Sequence, residues 1–143
     1  MGDLSPDAKA KALAAYLGSG TSAFDWQAAN CAHFCGAYIE QIEGRDPLAG
    51  FEMPASQTQA RRLLAKAKLA DLVSAQLGRA PIPPAFAQIG DLMLLPLSDS
   101  DPLALALGLC AGDAAAARTD ERGAISFVPA ASAICAWRIG GLP

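Results

Sequence analysis

Apolar and polar positions follow two different rhythms along the chain. Up to about residue 78 the apolar side chains recur every three to four positions. From residue 90 onward they form short continuous runs divided by turn signals. The first rhythm predicts helices and the second predicts strands.

The first helix is well marked. Ser5 is a good N-cap, Pro6 suits the first helical position, and Asp7 favours the positive end of the helix dipole. Leu13, Tyr16 and Leu17 form its apolar stripe and Gly18 stops it. A flexible Gly-Ser loop leads to Phe24-Asp25-Trp26. The spacing then predicts a second helix from about Asn30 to Glu43. Cys31, Phe34, Cys35, Tyr38, Ile39 and Ile42 share one continuous face, which marks it as the central, most buried helix. Gly44 ends it and Arg45-Asp46-Pro47 makes a turn. Ser56 is placed to cap a third helix carrying Ala60, Leu63, Leu64 and Ala67. A fourth, short one holds Leu69, Leu72, Val73 and Leu77 and stops at Gly78. Pro81, Pro83 and Pro84 then forbid helix and mark an extended linker.

Gly90-Asp91 precedes a buried strand, Leu92 to Leu95. Further strands are expected over Leu103 to Ala111, Ala114 to Arg118 and Ala124 to Val128, with turns at Gly112-Asp113 and Asp120 to Gly123. Pro129 breaks the last of these. Ala130 to Ala136 is ambiguous, and Trp137-Arg138-Ile139 is expected as a final strand. Helices followed by closely spaced strands predict an α+β protein in which N-terminal helices pack on a C-terminal antiparallel sheet. One domain fills residues 1–143: an N-terminal helix over 1–20, a helical part with the Cys31 helix over 21–80, and the sheet over 85–140.

Composition narrows the function classes. The 143 residues are 52% hydrophobic, enough for one core, and the net charge is -3. The eleven Lys and Arg are scattered, so no cationic stripe is available for phosphates, and nucleic-acid binding is not expected. No run reaches the length of a membrane span, and the N-terminus carries Asp7, Lys9 and Lys11 where a signal peptide needs an apolar stretch. The four cysteines, at 31, 35, 110 and 135, then read as free thiols in a reducing cytoplasm.

The candidate chemistry centres on Cys31. It falls at the first turn of a helix, where unpaired N–H groups and the dipole favour a thiolate. The plainer reading is a buried apolar cysteine. A nucleophilic cysteine needs a base, usually histidine, and His33 is the only histidine in the chain. Positions i and i+2 point about 200° apart on a helix, so His33 is a weak candidate for that role. Cys31 and Cys35, with Cys110 and Cys135 from the strands, lack the knuckle spacing of structural zinc, and neither a metal nor a cofactor is expected. Asp25, Asp91, Asp99 and Asp101 sit in or near loops, with nothing to single one out. Trp26 and Trp137 are expected to pack in the core or at its edge, and Arg61, Arg62, Lys66 and Lys68 form a solvated helix face.

The order of these motifs resembles the NlpC-like cell-wall cysteine peptidases, a compact branch of the papain-like fold. The resemblance rests on Phe24-Asp25-Trp26, Asn30-Cys31-Ala32-His33-Phe34, Gly90-Asp91-Leu92-Met93-Leu94-Leu95 and Ala106-Leu107-Gly108-Leu109-Cys110-Ala111-Gly112. It is closer still to a subgroup found in tail gene clusters of bacteriophages and gene transfer agents, through Gly44 to Pro47, Pro81 to Asp91, and Pro129 with Ala136 to Ile139. In that family a strand opens with the catalytic histidine. Aligning the glycines puts Ala106 in that slot, and Asn30 stands where an acidic residue precedes the cysteine. The resemblance therefore implies a papain-like fold without its base. It implies a structural component of a phage-like tail tip or baseplate, docked to tail hub, distal tail or fibre proteins. The expected location is the virion, after synthesis in the bacterial cytoplasm. The alternative is a peptidoglycan-cleaving peptidase or amidase with Cys31 as nucleophile.

Overall fold

A computed structural model describes residues 5–18, 31–49, 58, 59, 62, 68–96, 105–118 and 125–140. Three helices are delimited among them: α1 (Pro6–Gly18), α2 (Cys31–Glu43) and α3 (Leu69–Leu77). Five strands follow: β1 (Leu92–Pro96), β2 (Leu105–Cys110), β3 (Ala114–Arg118), β4 (Ile125–Pro129) and β5 (Cys135–Trp137). The protein is α+β, with one antiparallel sheet in the order β4-β3-β2-β1-β5. Strands β1 to β4 form a meander, and β5 returns to the free edge of β1.

Local chemistry explains the element ends. The Ser5 hydroxyl accepts a hydrogen bond from Ala8 N at 3.2 Å and caps α1. Gly44, at φ 77°, closes α2, and the Asp46 carboxylate accepts from Leu48 N at 2.9 Å to fix the turn that follows. Gly78 caps α3 in the left-handed region, donating its N–H to Ser74 O. Of the expected third helix, Thr58, Gln59 and Arg62 are helical and exposed. The rest of it lies outside the described residues, as do Phe24-Asp25-Trp26, Asn30, Asp99, Asp101 and the Asp120 to Gly123 turn.

The register divides the sheet into two faces. Leu92, Leu94, Leu107, Leu109 and Trp137 lie on one face and pack with Phe34, Cys35, Tyr38, Ile39 and Ile42 of α2, Leu13 of α1, and Val73 and Leu77 of α3. Met93, Leu95, Cys110, Ala115, Ala117 and Ala136 lie on the other, under Ile82, Ala87, Ala130 and Ala133. The alternation of two on each strand thus feeds two cores.

Two expectations are corrected here. The Pro81 to Pro84 stretch is more than a linker. Ile82 forms a two-way bridge with Ala136 along the outer edge of β5, and Pro84–Phe86 is one turn of 3-10 helix. Proline at the start of such a turn loses nothing, because that N–H needs no partner. The final strand is Cys135–Trp137, two residues earlier than expected. It ends there because the next free N–H, that of Ile139, goes to the Asp91 carboxylate instead of the ladder. Ala130–Ser132 before it is a 3-10 turn.

Candidate functional site

Cys31 is the first residue of α2, so the helix has begun by that position. His33 is the third, and the backbone therefore separates the two by about 200° around the axis. Helix α1 lies across the start of α2. The Tyr16 ring packs against Phe34 at 5.3 Å and Tyr38 at 5.5 Å, and its hydroxyl donates to the Phe34 carbonyl.

The side chains described on the sheet face that α2 covers are apolar. Strand β2 turns Leu105, Leu107 and Leu109 toward it, β1 turns Leu92, Leu94 and Pro96, β3 turns Ala114 and Ala116, and β5 turns Cys135 and Trp137. Among the described residues, no imidazole or carboxylate lies on this face of the strands. Ala106 pairs with Leu95 and belongs to the opposite face, buried beside the second core. The structure therefore does not bring Ala106 to the helix that carries Cys31. Cys35 is buried, and burial pushes the Cys110 and Cys135 thiols up.

The polar centre lies elsewhere, at Asp91, which is 0% exposed. Its Oδ1 accepts from Lys9 Nζ at 2.7 Å and Ile139 N at 3.0 Å. Its Oδ2 accepts from Gln88 N at 2.8 Å and Arg138 Nε at 3.0 Å. Four donors and two cations make this a fully satisfied buried carboxylate. Gly90 makes room for it. Its φ is 91°, and a Cβ there would stand 2.7 Å from the Tyr38 hydroxyl and 3.1 Å from the Lys9 stem. Burial first, then the Asp91 charge, push the Tyr38 hydroxyl up to about 12.

A second carboxylate grips the same C-terminal segment. Glu43, at the end of α2, takes both Arg79 nitrogens, at 2.7 Å and 2.9 Å, and also Gly140 N at 2.9 Å. Arg79 Nη1 donates to Arg138 O at 2.7 Å as well. Burial alone raises the Glu43 carboxyl, but Arg79, the Gly140 N–H and Arg45 outweigh it and hold the group below its ordinary value. Residues 138–140 are thus held by Asp91 from one side and Glu43 from the other.

In the sequence Asp91 stands among the loop carboxylates, and Lys9 among the charges that interrupt the N-terminal segment. Both are buried. A signal was present: Lys9 stands four residues before Leu13 and seven before Tyr16, on the same helical stripe. Trp137 is a core residue as expected, with its indole N–H on Ser74 Oγ at 3.0 Å.

Residues 7–139 match a domain of unknown function, DUF6950. The chain belongs to that family. No curated protein and no solved structure matches the chain.

Proposed function

We propose that this member of the DUF6950 family is a non-catalytic papain-like module, kept as a structural and docking component of a phage-like tail tip or baseplate. The observation that carries the first half is the apolar set of side chains described on the sheet face opposite α2. A papain-like thiol enzyme needs an imidazole facing the cysteine helix from the sheet, and the positions of β2 that face it are Leu105, Leu107 and Leu109. Without a positioned base, a cysteine hydrolase loses several orders of magnitude in rate.

The second half rests on the motif order. The motif residues have a common structural use: Gly90-Asp91 and Arg138-Ile139 build the buried carboxylate cluster, and Gly44 to Pro47 close α2. This use of the described motif residues supports a scaffold role. No helix among the described residues is long and apolar enough to cross a membrane, and partners are sought among tail hub, distal tail and fibre proteins. The test is purification of native assemblies containing the chain, followed by mass spectrometry. Recovery with tail proteins is the expected result. Recovery only as a free monomer would overturn the docking role.

A second reading has one observation in its favour, the place of Cys31 at the first residue of α2. Helix N-termini lower thiol pKa values. In that reading the chain cleaves peptidoglycan with Cys31 as nucleophile and His33, or a histidine from a partner, as base. Thiol labelling across pH separates the two. A Cys31 pKa at or above about 8.5 excludes activation.

A further inference from the structure

We infer that α1 is a strap that opens as a unit, uncovering the start of α2 while the rest of the fold stays intact. Three observations support it. First, α1 is thinly attached. Among its described side chains only Lys9 and Leu13 are buried, with Ala8, Ala10, Ala12, Tyr16 and Leu17 partly so. A helix of 13 residues is marginal once undocked, so release and melting coincide.

Second, the buried ion pair that anchors α1 can open at small cost to the core. Lys9 Nζ has one acceptor for its three protons, Asp91 Oδ1, among the described residues. When Lys9 leaves, it regains full hydration. Asp91 is not orphaned, because Arg138 Nε, Ile139 N and Gln88 N still hold it, and Arg138 still balances its charge. Removing one partner of a buried pair is normally costly because the other charge is stranded. Here a second cation prevents that.

Third, what α1 covers is specific. Tyr16 lies on Phe34 and Tyr38 and bonds the Phe34 carbonyl, within two turns of Cys31. Opening therefore uncovers the Phe34 and Tyr38 rings on which Tyr16 lies. This holds whether the start of α2 is a docking surface or a catalytic one. Its failure and the failure of the proposed function are read by different experiments.

The test is hydrogen exchange by mass spectrometry on the full chain. The amides of α1 are expected to exchange at least about tenfold faster than those of β1 and β2 in the wild type. Lys9→Ala is expected to speed α1 by a further tenfold or so while leaving β1 and β2 within about twofold. If Lys9→Ala does not fold, Leu13→Ala gives the same comparison. Wild-type α1 exchanging as slowly as β1 and β2, or a variant that speeds all three alike, would overturn the inference.

Discussion

Replacing Asp91 with asparagine is the sharpest perturbation of this fold. The side chain keeps its shape and loses its charge. An amide has one acceptor oxygen where the carboxylate has two. In one orientation its NH2 faces Gln88 N and Arg138 Nε; flipped, it faces Lys9 Nζ and Ile139 N. Either way two donors meet a donor, and Lys9, 1% exposed, loses its counter-charge. Breaking a buried ion pair from one side costs about 3–5 kcal/mol. A domain of this size has about 5–15 kcal/mol in total. With a urea slope of about 2 kcal/mol/M, the unfolding midpoint should fall by roughly 1.5–2.5 M. Fluorescence of buried Trp137 reports the transition. Lys9→Met is the control: Arg138 still neutralises Asp91, so it should cost no more than about half as much. An Asp91→Asn midpoint within about 0.5 M of wild type would refute the assignment of Asp91 as the electrostatic centre of the fold.

Other consequences follow from the same geometry. Gly90→Ala should destabilise more than Gly78→Ala in the same assay. Both glycines have positive φ, but a Cβ at 90 meets Tyr38 and Lys9 while one at 78 meets nothing within 4 Å. Ultraviolet titration of the chain's two tyrosines should show one ionising only near about 12, that of Tyr38. Its folded-state value lies above the unfolded one, so stability is intact below pH 10.0 and falls as pH rises from there. Glu43 has the opposite sign. Its folded-state value lies below the ordinary 4.5, so its contribution is present above that pH and is lost as the pH drops below it. Glu43→Gln should flatten this acid limb of the stability curve.

The sequence carried the elements whose causes are local. Ser5, Gly44 and Gly78 mark helix ends by their own backbone and side-chain chemistry, and all three do so in the structure. The antiparallel sheet was legible because Gly112-Asp113 and the breaks around it divide the segment into short apolar runs in close succession. The Asp91 cluster was not legible, because its partners stand 82 and 47 residues away. Nothing within a few residues of Asp91 announces a buried acid. The role of Ile82 was hidden for the same reason: three prolines describe the backbone at 81–84 but not the strand it lies against. The orientation of Ala106 depended on register, which a motif alignment does not supply.

The central proposal is that no described strand residue faces the start of α2 as a catalytic base. Its most direct test is hydrolysis of purified peptidoglycan by the folded chain beside the Cys31→Ala variant, followed by release of soluble muropeptides. The account predicts no release above that of the variant. Release that the wild type produces and Cys31→Ala abolishes would contradict it, and would make Cys31 a working nucleophile.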